Sequence, residues 1–271
     1  MPKHIINTGN QTISGGFTTI GNISATGILY GDGSGLTNVS GSGSSPYVVG
    51  SVATAIKAVC GTNTASGTYS TVGNGYSNTA SSVYSTVVNG SYSAATASRA
   101  TIINGFSNEA VETAATVVNG AYNCAVGAYS TVNNGFGNCS GGRYSTVSNG
   151  YYSTASGYNS TVITGRQNTA SGVYSTVVNG CCNIASGLYS AILGGCCNTA
   201  SGVYSTVING RSNISYHDRT YILGNYIATD KPDTTYVNSL QVMDAGYLYM
   251  WDASISAYRC VSIDSGAFVI V

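Results

Sequence analysis

Charge is what this chain most lacks. Asp, Glu, Lys and Arg make up 7% of its 271 residues, against roughly 25% in ordinary globular domains. Between Lys57 and Asp218 the only charged residues are Arg99, Glu109, Glu112, Arg143, Arg166 and Arg211. Acids and bases balance, so the formal net charge is zero. That excludes a basic stripe for nucleic acid and a polybasic anchor for membranes. It also disfavours a soluble monomer, because low net charge promotes association. No apolar run is long enough to span a bilayer, so no membrane insertion is expected. The opening MPKHIINTGNQTISGG lacks the apolar core of a secretory signal, which leads to an expectation of synthesis in a cytoplasm without the usual export route.

Catalytic residues are equally sparse. There is no G-x-S-x-G elbow, no H-E-x-x-H and no Walker lysine. The two histidines, His4 and His217, are not arranged for chemistry; His217 is expected at the junction where the repeat ends. Glu109 and Glu112 are the only acids within the repeat. A carboxylate pair for glycan cleavage is conceivable from them, but two solvated side chains on an outer corner are expected. GDGSG at 31–35 supplies one Asp, too little for a calcium loop, and reads as a tight turn. The expectation is no enzyme, no cofactor and no metal.

What is present is a period. Glycine returns every fifteen residues at Gly75, Gly90, Gly105, Gly120, Gly135, Gly150, Gly165, Gly180, Gly195 and Gly210. Asn follows three residues later at Asn78, Asn108, Asn123, Asn138, Asn168, Asn183, Asn198 and Asn213, with Ser93 and Ser153 completing the column. Val or Ile precedes each glycine by three, from Val72 to Val207. So short a fixed period marks a solenoid in which each turn is one rung. One unit reads G-x-x-N-x-A-x-G-x-Y-S-T-V-x-N, as in GRQNTASGVYSTVVN at 165–179. Alternation within it places Asn, Ala, Ser and Val inward. Glycines are expected at corners needing positive φ, and stacked Asn side chains are expected to form a ladder between rungs. Ten rungs at about 4.8 Å would make a section on the order of 50 Å long.

The outward positions then form three columns. One is Tyr, including Tyr84, Tyr174, Tyr189 and Tyr204. One is Thr, including Thr86 and Thr176. The third is apolar, including Val88, Ile103, Val118, Val178, Leu193 and Ile208. Together they predict a flat apolar stripe, which a soluble monomer rarely exposes. Burial between subunits under closed symmetry is the expected solution, with these twelve residues at a trimer interface. The tyrosines could also stack on sugars, but packing is preferred because they align with the apolar column. Tyr247, Tyr249, Trp251 and Tyr258, outside the repeat, are the better glycan-binding candidates, with the core of a small domain as the alternative.

Three segments follow. Residues 1–50 read as short strands joined by turns, ending in the flexible joint GSGSSP at 41–46. Residues 51–215 are the repeat shaft. Residues 216–271 hold the only Trp and six of the nine acidic residues, and read as a small β cap or tip domain. Of the eight cysteines, Cys124 and Cys139 are one period apart, as are Cys181 and Cys196, and Cys182 and Cys197; Cys60 and Cys260 lie outside these pairs. They are expected to stack on successive rungs as small buried apolar side chains in a reducing compartment.

The unit resembles the G-x-x-S-x-A-x-G-x-x-S-x-A-x-G repeat of YadA-like trimeric adhesin heads, over about 60% of the chain. The resemblance implies a left-handed parallel β-roll assembled as a homotrimer. This sequence departs from it by one extra residue per turn, fifteen against fourteen, in the V-x-N-G corner. The leader GNISATGILYGDGSGLTNVSG is similar to a segment of tail fibres and other virion fibres. RTYILGNYIATDKPDTTYVNSLQV is similar to the cap that follows such repeats in viral proteins. With neither the export signal nor the membrane anchor of the adhesins seen, the expected reading is a trimeric tail or head fibre on a virion. Its partners would be other virion proteins at one end and a host surface glycan or protein. A bacterial adhesin, an ice-binding face built on the T-x-V columns and a polysaccharide-cutting fibre are the alternatives.

Overall fold

The computed structural model describes residues 54–58 and 61–238, together with the backbone of strands Tyr47–Val49, Leu248–Asp252, Ala257–Asp264 and Ala267–Ile270. The joint at 41–46, the turn at 31–35, His4, Cys60 and Tyr247 lie outside the described residues. So do the side chains of Tyr249, Trp251, Tyr258 and Cys260.

The repeat folds as a parallel β-solenoid with rungs of about fifteen residues. One sheet stacks thirteen parallel strands from Ile56–Ala58 to Thr235–Val237, with Tyr47–Val49 antiparallel at its first edge. A second sheet stacks eleven, from Thr64–Ala65 to Ile214–Ser215. A third line of parallel pairing joins the residue after each corner glycine, from Tyr76 to Arg211. The register is the sequence period itself: Thr116 faces Thr131 and Ala110 faces Ala125. At about 4.8 Å per strand the larger sheet extends on the order of 60 Å.

Two-residue strands suffice because a rung has only two inward side chains on each main face. Val72, Val87, Ile102 and their successors are fully buried, as are the alanines Ala80, Ala110, Ala125, Ala155, Ala170, Ala185 and Ala200. Asn78, Asn138, Ser85 and Ser145 are buried with them. No rung closes a core alone; stacking makes it continuous.

The Asn column joins backbone to backbone rather than amide to amide. Asn138 is typical. Its N–H donates to Asn123 Oδ1 at 3.0 Å, and its Oδ1 accepts from the Ser153 N–H at 2.9 Å. Its Nδ2 donates to the carbonyl of Gly150 on the next rung at 2.7 Å. The side chain thus pairs a corner N–H and adds a second donor to a glycine carbonyl of the kind that also accepts a backbone N–H, as Gly135 does from Ala121. Direct amide-to-amide bonds occur where Asn198 meets Asn183 and Asn213 meets Asn198.

The two glycine columns have different causes. Gly165 sits at φ +103°, a conformation that L side chains rarely adopt. Gly172 has no such φ, but a Cβ there would collide with the carbonyl oxygen of Gly187 one rung on.

Parallel stacking continues past residue 215, where composition had placed the end of the repeat. The ladder slips between Val207 and Asn209, and the turn that follows has fourteen residues: Tyr221 pairs with Thr235, and Ile214 bridges Ala228. At the first edge Lys57 takes the position of the Val column, and its Nζ donates to the Asn63 carbonyl. At the other, Tyr236 follows buried Ile222, and its hydroxyl donates to Asp230 Oδ1 at 2.6 Å. Polar groups thus finish both ends of the apolar column. The strands Leu248–Asp252, Ala257–Asp264 and Ala267–Ile270 form an antiparallel three-stranded sheet.

Candidate functional site

The surface that distinguishes this roll is the outer side of the larger sheet and the corners flanking it. Thr86 and Thr176 lie half-buried on two-residue strands, beside the buried Val87 and Val177. The next residue points outward: Val88 is 42% exposed, Leu193 45% and Ile208 37%, while Ile103, Val118 and Val178 are half-buried. Ile163, in the same column, is 41% exposed. The apolar column is interrupted, however. Asn133 and Ser148 occupy it on two successive rungs, and Asn133 Nδ2 donates to Ser148 Oγ at 3.4 Å. The strands there lengthen to Thr131–Phe136 and Thr146–Tyr151, carrying pairing through the glycine corner.

The tyrosines do not lie on the flat strand face that alternation predicts. Tyr84, Tyr174, Tyr189 and Tyr204 have φ between 55° and 58°, in the left-handed region. Each is the third residue of a tight turn: in the Tyr174 turn the Ser175 N–H returns to the Gly172 carbonyl at 3.1 Å. The column therefore projects from a corner beside the strand. Its rings stack along the axis, with centroids 4.8 Å apart from Tyr174 to Tyr189 and 4.9 Å from Tyr189 to Tyr204. A non-glycine residue in this conformation costs about 1–2 kcal/mol, and an aromatic pair contributes about 0.5–1.5 kcal/mol. The two nearly offset, so stacking within one chain does not by itself explain why Tyr recurs.

A second aromatic surface escaped the column reading. Tyr76, Tyr92, Phe106, Tyr122 and Phe136 meet edge to face, with centroids 5.2–5.6 Å apart, and Phe136 continues to Tyr151 and Tyr152. Tyr92 and Tyr122 sit in the left-handed region one position after the bridging residue. Both positions therefore present outward rings at one corner.

The cysteines are not buried as expected. Cys124, Cys139, Cys181, Cys182 and Cys196 are half-exposed and Cys197 is exposed, all as free thiols. Each belongs to an outward column, because the inward ones are filled by Asn, Ala, Ser and Val. Glu109 and Glu112 are exposed. His217 lies in a turn between stacked strands, with Nδ1 3.1 Å from Thr229 Oγ1; the solenoid continues beyond it. Among the described residues no group of three or more His, Cys, Asp or Glu is placed to hold a metal ion, and no helix is long and apolar enough to cross a membrane. An open cleft lined by Ile208, Asn209, Leu223 and Asn225 marks the slip in period. In the C-terminal sheet, the register sets Trp251 opposite Tyr258 and Tyr249 opposite Cys260.

No protein-family model matches the chain, and no curated protein sequence matches it.

Proposed function

We propose that the chain is the shaft of a homotrimeric fibre on a virion, serving attachment to a host, with other virion proteins as partners at one end. The carrying observation is the tyrosine column. Tyr occupies a strained corner on seven of the ten rungs from Tyr69 to Tyr204, with Arg99, Ala114 and Asn159 on the other three. Rings such as Tyr84 and Tyr204 are half in water, and stacking along one chain barely offsets the backbone cost. Burial against another subunit supplies the missing gain. Val88, Ile163, Leu193 and Ile208 add apolar area beside the column, on a surface almost without charge. Closed threefold symmetry would cover both without leaving an open edge. The repeat's resemblance to trimeric adhesin heads, and the flanking resemblances to virion fibres, supply the rest of the reading.

Light scattering on the purified protein tests it. A mass three times the 27.6 kDa chain is expected, and the double substitution Ile163→Arg/Leu193→Arg is expected to reduce it to one chain. A folded monomer in the wild type would reject the trimer. Antibodies against the shaft should label particles; labelling of bacterial cell surfaces instead would favour the adhesin alternative. An ice-binding reading has one observation in its favour, the regular Thr column on a parallel sheet, and absence of thermal hysteresis would remove it.

A further inference from the structure

We infer that Cys124 and Cys139 are a cross-rung thiol pair that a low-molecular-weight disulfide, such as oxidised glutathione, converts to a disulfide stapling adjacent turns of the solenoid. The two residues are in-register partners on neighbouring parallel strands, Cys124–Ala125 and Cys139–Ser140. Such partners lie about 4.8 Å apart, inside the Cα range that disulfides span, roughly 4.4–6.8 Å. Both side chains point outward, and their sulfurs are 2.6 Å apart. Both are half-exposed, so a small disulfide can reach them. Cys181 and Cys196 are also in-register partners across rungs, but each of these thiols in addition meets a neighbour on its own rung, Cys182 and Cys197, at 3.3 Å.

The surroundings also assign the order of attack. The Cys124 thiol donates to Cys139 and brings its pKa down to about 7. Cys124 is pushed up, chiefly by that same hydrogen bond and also by burial and by Glu109 one rung away. Cys124 lies in register with the Glu109 carboxylate, whereas the neighbour of Cys139 on its far side is the neutral Thr154, so Cys139 is the thiol that ionises more readily. Its sulfur attacks one sulfur of oxidised glutathione, forming a mixed disulfide and releasing one glutathione thiolate. The negative charge on Cys139 is then gone. Cys124 gives its proton to water and attacks the Cys139 sulfur, expelling the second glutathione thiolate. Two protein thiols are oxidised and one small disulfide is reduced to two thiols.

The test uses the whole reduced protein, incubated with oxidised glutathione near neutral pH. Free thiols are then alkylated, and the protein is digested without reductant and mapped by mass spectrometry. A peptide pair joined through Cys124 and Cys139 is expected. Recovery of both residues alkylated, or each carrying glutathione, would overturn the pairing. Cys124→Ser should stop at a glutathione adduct on Cys139. A Cys139→Ser variant that acquires the adduct on Cys124 equally fast would overturn the order of attack. In urea the oxidised wild type should unfold at a higher midpoint than the reduced form, by a margin that Cys124→Ser loses. A mapped link without that margin would overturn its role as a staple.

Discussion

Inside the roll each column keeps one residue or a near equivalent from end to end; outside, the Thr column on the strands is regular too, but the columns at the corners change character from rung to rung. The Val column varies only to Ile between Val72 and Val207. The outward column after the corner glycine runs through Tyr76, Ser91, Phe106, Ala121, Phe136, Tyr151, Arg166, Cys181, Cys196 and Arg211. The rung spacing fixes the interior volume, so an added atom inside must displace backbone. Outside, the same backbone carries rings, thiols or guanidinium groups without cost to the stack. Architecture and individuality are thus divided between the two sides of one strand.

The sharpest way to break the comparison is a single methyl group. Gly172→Ala forces a Cβ into the Gly187 carbonyl, whereas a Cβ at Gly194 meets only the far end of the Asn209 side chain, at 3.5 Å. Gly172→Ala should lose about 3 kcal/mol of stability and Gly194→Ala less than about 0.5 kcal/mol, measured by urea unfolding. Equal effects would show that rung contact does not set the interior.

Next in size is a contrast between two buried polar columns. Asn138→Ala strands the Ser153 N–H and takes one donor from the Gly150 carbonyl, and should cost about 2 kcal/mol. Ser175→Ala removes a hydroxyl that has no partner, and Ala100 and Ala115 already occupy that column. It should be neutral within about 0.5 kcal/mol. A large loss on Ser175→Ala would mean that the hydroxyl finds a partner in solution.

The tyrosine corner should give a still smaller change in the single chain. Tyr189→Gly loses the stacks with Tyr174 and Tyr204 but relieves a left-handed φ of 55°. The net change in unfolding free energy should fall within about 1 kcal/mol of zero. Dissociation of the proposed trimer on dilution, followed by light scattering, should nonetheless rise. Unchanged association would place the subunit contact away from this column.

Which features the sequence disclosed follows the same inside–outside division. Inward Asn, Ala, Ser and Val were legible because a period of fifteen leaves them no freedom. The Tyr corner was misplaced because alternation assumes extended backbone, and nothing in the letters announces a left-handed Tyr. The second aromatic surface was missed for a related reason. Tyr76, Tyr92, Phe106, Tyr122 and Phe136 alternate between the first and second positions after the corner glycine, so no fixed column contains them. Only the backbone turn at the second position brings both sets to one surface. The cysteines looked like core because thiols usually are; their place in the unit, opposite the Asn and Ala columns, was the signal that they face out. The fourteen-residue turn after Val207 was hidden by loss of the Gly and Val markers on which the count depended.

The gentlest perturbation is acid, and it should separate the last turns from the rest. Asp230 is held below the usual carboxylate range by the Tyr236 hydroxyl, and Asp233 by the Arg219 guanidinium. Because folding lowers both pKa values, the unfolded chain binds these protons first. Their contribution is complete above the unfolded carboxylate pKa of about 3.9 and disappears as pH falls through the lower folded values. The inward columns of the rungs between Val72 and Val207 contain no titratable side chain. Amide exchange followed from about pH 5 downward should therefore show the turn 230–237 loosening first, with Val132 and Val147 still protected. Asp233→Asn should remove part of that pH dependence. Simultaneous loss of protection along the stack would mean that the solenoid opens as one cooperative unit, with interior and ends failing together.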